Sequence, residues 1–192
     1  SIIDLGGGAQ PMLTEDERYA LSFNGEIYNF QELRKELEAL GHQFRTHSDS
    51  EVILEAYRAW GPKCVERFHG MFVFALYDQA NRQMLLARDR LGVKPLYHAR
   101  LADGSIIFGS ELKALLEHPA LRREPDLAMV DDYLAFGYVP DHGCIVAGVQ
   151  KLAAGHYWLL TQGKPEPAPT QYWDLDFSNR VRGSEAELQE EL

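Results

Sequence analysis

The sequence predicts an α+β fold in which an antiparallel sheet is covered on both faces. Three observations lead there. Two stretches, "NFQELRKELEALG" and "SDSEVILEAYRAWG", carry apolar residues at helical spacing. The run 71–77, "MFVFALY", is apolar at every position rather than at alternate ones, which is the pattern of a strand buried on both sides. A polar turn over 78–82, "DQANR", leads straight into a second apolar run, "QMLLARD", and so short a link makes the pair antiparallel.

The elements follow in order. "RYALSFNGEIYN" alternates and then turns, and Asn24-Gly25 between apolar residues is a hairpin signal. The first helix opens at Asn29 as N-cap, with Glu32 completing a capping box, and Gly41 closes it. Phe30, Leu33, Leu37 and Leu40 form its apolar stripe. Ser48 and Glu51 repeat the box for the second helix, whose face is Val52, Ala56 and Trp60, widened by Ile53 and Tyr57 and stopped by Gly61. "SIIFGSELKALLEHP" reads as a strand running into a helix that ends before Pro119. "DLAMVDDYLAFG" is a short helix capped by Asp126, and "GHYWLLTQGKP" a strand entering a glycine turn. "KPEPAPTQYWDLDF" has the composition of an extended linker, and "SEAELQEEL" starts a further helix.

At 192 residues the chain suffices for one sizeable core. Its net charge of −10, spread along the chain, argues against a nucleic-acid partner and suits a soluble cytoplasmic protein. No run has the length of a membrane span, and no basic-then-apolar leader opens the chain. Cys64 and Cys144 form neither a CxxC nor a metal spacing; both read as buried structural thiols of a reducing compartment. The histidines make no HxxxH or HExxH pair, so no zinc site is expected.

Four stretches bear on chemistry. In "FNGEIYN", a turn is one reading; the other has Asn24 and the Gly25 N–H donate to a developing oxyanion, since both donate without being ionisable. Asp49 complements a helix dipole, or binds a substrate ammonium. "ARDRLGVKPLY" reads as a solvated loop. At the start, "SIIDLGGGAQPM" offers Ser1, a nucleophile if its own amino group served as base, and a glycine cluster, Gly6 to Gly8, without the GK[ST] of a phosphate loop.

Together these segments resemble the class II glutamine amidotransferase domain of glutamine-dependent asparagine synthetases. The matching stretches run in order through "SIIDLGGGAQPM", "FNGEIYNFQELRKELEALGH", "SDSEVILEAYRAWG", "FHGMFVFALYD", "LARDRLGVKPLYHA", "FGSELKALLEHP" and "YVPDHGCIVAGVQKLAAGHYW", covering nearly the whole chain. The resemblance implies a four-layer αββα sandwich of the N-terminal nucleophile hydrolase type, with two antiparallel sheets flanked by helices. It implies an N-terminal cysteine that attacks the side-chain amide of glutamine, releases ammonia and leaves a thioester for water to hydrolyse. By position, Asn24 and Gly25 resemble the oxyanion hole, and Glu26 and Asp49 resemble residues holding the glutamine α-amino end. Ile2 and Ile3 align with backbone lining the glutamine pocket, and the resemblance places Ser1 within that pocket-lining segment rather than at the nucleophile's position.

Domain limits follow from the same resemblance: an amidotransferase domain over 1–164, a linker over 165–183, and the start of an ATP-binding synthetase domain over 184–192. The ammonia would pass to that second domain, where ATP with Mg2+ activates aspartate or a related carboxylate; the family also implies a possible homodimer. The chain departs from the pattern in having no N-terminal Cys-Gly-Ile segment and no arginine ahead of "SIID" to grip the glutamine carboxylate. It reads as truncated at both ends, with an N-terminal strand segment missing, and as inactive in this form. The alternatives are a relative whose glutaminase-like domain lacks the cysteine, as in β-lactam synthetases, an amidotransferase with another acceptor, and a non-catalytic interaction module.

Overall fold

Strand pairing explains why "MFVFALY" is apolar throughout. In the computed structural model, which describes residues 9–178, a six-stranded antiparallel sheet is built from β1 (Met12–Leu13), β2 (Tyr19–Ile27), β3 (Gly70–Asp78), β4 (Gln83–Arg88), β8 (His156–Thr161) and β9 (Thr170–Gln171), in that order. A second sheet has the order β6 (Ile106–Gly109), β5 (Tyr97–Arg100), β7 (Val149–Lys151). On β3, Phe72, Phe74 and Leu76 join a core with α1 (Phe30–Ala39) and α2 (Asp49–Trp60). Val73 and Ala75, pointing the other way, join Leu86, Leu96, Leu152 and Trp158, against which Ile106 and Phe108 of the second sheet pack.

The second sheet is covered in the same manner. Its outer residues, including Ala99, Ile107 and Val149, pack with Leu112, Leu115 and Leu116 of α3 (Leu112–Leu116). The layers therefore run α1 and α2, sheet, sheet, α3. This is the αββα order that the resemblance implies.

Several local expectations change on contact with the tertiary structure. No hairpin forms at Asn24-Gly25: β2 runs straight through, pairing Asn24 with Val73 and Gly25 with Phe72. Gly25 is there for close approach. It has φ +147°, and a Cβ on it would lie 2.1 Å from Met71 O; one on Gly70 would lie 2.1 Å from Glu26 O. Asn29 precedes α1 but does not cap it, because its amide donates to Arg67 O at 3.0 Å and accepts from the His69 N–H at 3.0 Å. Leu40 lies outside the buried stripe, at 60% exposure. Ser48 does cap α2, accepting from the Ser50 N–H, while Glu51 turns to the N–H groups of Arg45 and Thr46.

The "ARDRLGVKPLY" stretch is no solvated loop. Asp89 is fully buried and accepts N–H bonds from Phe72, Leu91, Val93 and Lys94. Buried Arg88 donates to the carbonyls of Gly92, Lys94 and Leu152 and to Asp141. The proline-rich stretch beyond residue 164 is also tied down: β9 pairs with β8, Trp158 donates to Pro167 O, and the Tyr172 hydroxyl donates to Arg88 O. Asp126 caps α4 (Leu127–Phe136) as expected, yet α4 buries none of its residues and exposes Leu127, Leu134 and Phe136.

Candidate active site

Period-two alternation places the candidate residues. Leu21, Phe23 and Ile27 of β2 enter the helix-side core, so Ser22, Asn24 and Glu26 share the opposite face, toward the second sheet. There a cleft of about 400 Å³ opens between the two sheets, lined by Asn24, Val73, Phe74, Phe108, Ser110 and Glu111. Asn24 is exposed to it, and its Nδ2 donates to Ser110 Oγ at 3.0 Å. Gly25 and Glu26, both half-buried, follow on the same strand.

Asp49 reaches this strand from α2. Its Oδ2 accepts the Ile27 N–H at 3.1 Å, one residue beyond Glu26, and its Oδ1 lies 3.4 Å from Ser48 Oγ. The side chain is only 2% exposed. Burial pushes its carboxyl above the ordinary carboxylate value, against the pull of hydrogen bonds from Ile27, Ser50 and Ser48. The fold thus gathers Asn24, Gly25, Glu26 and Asp49 around one end of β2, although Asp49 lies 22 positions beyond Ile27. Ile2 and Ile3, like Ser1 and Gly6 to Gly8, lie outside the described residues, as do 179–192.

The two thiols lie elsewhere. Cys64 is fully buried in the core with α1 and α2, where burial raises its pKa far above that of a free thiol, and Cys144 is buried beneath α3. Neither lines the cleft. A larger cavity, about 660 Å³, has His42, Arg45, Glu51, Glu55 and Arg58 in its wall. Its charges are spent on one another: His42 meets Glu55 at 2.6 Å, and Arg58 meets Asp16 at 2.7 Å and Glu55 at 3.4 Å. Among the described residues no group of three or more His, Cys, Asp or Glu could hold a metal ion, and no helix is long and apolar enough to cross a membrane.

Ser110 is the residue that sequence reasoning missed. It stands in a stretch read only as strand-to-helix, 86 positions from Asn24, and nothing in local patterning joins the two.

The layer order is that of the N-terminal nucleophile hydrolases, and two solved structures share it. Glutamine phosphoribosylpyrophosphate amidotransferase from Bacillus subtilis, complexed with ADP and GMP, superposes with TM-score 0.55 at 19% identity, over 85% of this chain and 32% of that one. A glutamine aminotransferase class-II domain protein from Silicibacter pomeroyi gives TM-score 0.53 at 14% identity, over 88% and 72%. The family described as "Glutamine amidotransferase domain" matches residues 1–173, and this chain belongs to it. Similar relatives are two glutamine-hydrolysing asparagine synthetases of B. subtilis. Asparagine synthetase 3 is 37% identical over 180 residues, and asparagine synthetase 1 is 41% identical over 160. The matches take in 92% and 83% of this chain but 29% and 25% of those proteins, so the chain spans less than a third of their length.

Proposed function

We propose that this chain is the glutaminase part of a longer, ATP-dependent ligase that hydrolyses glutamine and passes the ammonia to aspartate or a related carboxylate. The observation that carries the reading is the end of β2, where Asn24, Gly25 and Glu26 stand in succession and Asp49 bonds the next N–H but one after Gly25. On this reading a cysteine of the longer polypeptide, outside these 192 residues, attacks the glutamine amide carbon. Asn24 Nδ2 and the Gly25 N–H receive the negative charge that develops on oxygen. Ammonia leaves, and water cleaves the thioester to glutamate. Glu26 and Asp49 hold the glutamine ammonium, an opposite charge in a partly desolvated site.

ATP and Mg2+ belong, on this reading, to the further domain that begins near residue 184, beyond the part of the proline-rich stretch that β9 ties to the sheet. The apolar residues that α4 exposes, Leu127, Leu134 and Phe136, support a further body of protein packing there. Two buried free thiols are compatible with a cytoplasmic setting.

The test is glutamate release from glutamine by the full-length polypeptide, followed by ATP-dependent asparagine formation from aspartate. Glutamate release without asparagine keeps the glutaminase and changes the acceptor. Ligase activity from free ammonia alone, with no glutamate release, points to a glutaminase-like domain that has lost its reaction.

A further inference from the structure

We propose that Ser110 is a positioning residue for Asn24, holding its carboxamide ready to receive an oxyanion; the proposal rests on the reading of Asn24 given above. A carboxamide exposed on a strand turns easily about its last torsion, which is broad and two-fold. A donor that stabilises a transition state must instead be set before the charge develops, or the reaction bears the cost of setting it.

Ser110 supplies the restraint from the opposite sheet. It follows the last residue of β6 and precedes Glu111, the N-cap of α3. Its anchor is firm. Gly109 pairs with Tyr97, and a Cβ on Gly109 would already press to 3.0 Å from the Leu115 side chain. The Asn24 to Ser110 bond of 3.0 Å therefore joins the two sheets across the cleft.

The chemistry of the pair suits the task. An amide nitrogen carries two hydrogens in one plane. Giving one to Ser110 restrains that plane and leaves the other available to an oxyanion. A hydroxyl accepts the bond without a charge of its own, so it sets the donor and does not repel the anion that the donor must meet. The bond also couples the cleft to α3: whatever shifts β6 and α3 moves the amide.

The experiment compares Ser110→Ala, Ser110→Thr, Asn24→Ala and the Ser110→Ala/Asn24→Ala pair in the full-length polypeptide, measuring glutamate release. Deleting an oxyanion donor costs about 100- to 1000-fold in kcat, and loosening one should cost about tenfold. We expect Ser110→Ala to lower kcat about tenfold with the KM for glutamine within about twofold, because the amide acts on the transition state. Ser110→Thr, which keeps the hydroxyl, restores the rate. The double variant is no slower than Asn24→Ala, since the serine acts only through the amide. A change confined to KM, a rate unaffected in Ser110→Ala, or additive losses in the double variant each overturn the role. An unaltered protein that releases no glutamate overturns the glutaminase reading and this role with it, whereas an active unaltered protein whose kcat is undiminished in Ser110→Ala overturns this role alone.

Discussion

The main-chain N–H of Ile27 donates to the Asp49 carboxylate at 3.1 Å, joining the end of β2 to the first turn of α2. Asp49 has two uses here, closing a strand end and, on the proposed function, holding a substrate ammonium. They can be separated. Asp49→Asn keeps an acceptor for Ile27 and removes the charge. It should fold, while the KM for glutamine rises by about 10- to 100-fold, the equivalent of one charged hydrogen bond of about 1.5–3 kcal/mol. Asp49→Ala leaves the buried N–H without a partner and should also lose about 1–3 kcal/mol in urea unfolding. A normal KM in Asp49→Asn would confine Asp49 to its structural use.

Acid titration gives an independent reading of the same carboxyl. Burial raises its folded pKa above the unfolded value, so the folded state holds the proton more tightly. Its contribution is then unfavourable at neutral pH. The burden lifts as pH falls through the folded value and is gone below the ordinary carboxylate value. Urea midpoints from pH 7 down to pH 4 should move the unaltered protein upward relative to Asp49→Asn. A constant difference would contradict the desolvation.

Gly25 tests the reason for a half-buried glycine within a strand. An alanine there places a Cβ 2.1 Å from Met71 O at a φ of +147°, which L residues rarely adopt. Gly25→Ala should cost about 2–4 kcal/mol. Thermal unfolding measures it, and a shift of under about 2 °C would show that β2 and β3 can part without loss.

The two faces of β3 should fail in different ways. Phe74→Ala opens a cavity on the helix side, next to Phe68 and Phe72, and should cost about 3–5 kcal/mol. Val73→Asn places an amide between the two sheets, among Leu86, Leu96 and Trp158, and should cost about 2–4 kcal/mol. Denaturant midpoints compare them. If Val73→Asn were tolerated like a surface change, the second face would not be buried.

Thiol chemistry checks where the nucleophile is not. Iodoacetamide should leave Cys64 and Cys144 unmodified in the folded protein and alkylate both in urea, because both are buried. The Cys64→Ala/Cys144→Ala full-length protein should still release glutamate from glutamine.

Much of this was legible in the sequence because it is local. The unbroken apolar run of β3 required a cover on each face, and the two helical stripes supplied one of them. The order of motifs carried the family, and with it the positions of Asn24, Gly25, Glu26 and Asp49. Local signals misled wherever a local partner gave way to a distant one. Asn-Gly reads as a turn in isolation, yet nine residues of β2 pair continuously with β3, and a ladder of that length overrides a two-residue preference. Asn29 reads as a cap, yet Arg67 and His69 occupy its amide.

The sequence by itself determined that one sheet is covered on both faces, and it determined the family, since periodicity and motif order are written along the chain. Only the tertiary structure decided what meets across the cleft. The Asn24 to Ser110 bond, the reach of Asp49 to Ile27 and the burial of Asp89 under four N–H groups all join positions that no periodicity relates. Such contacts exist because the two sheets close on a shared apolar layer, and burial then obliges each polar group left inside to find whichever partner the packing brings within reach.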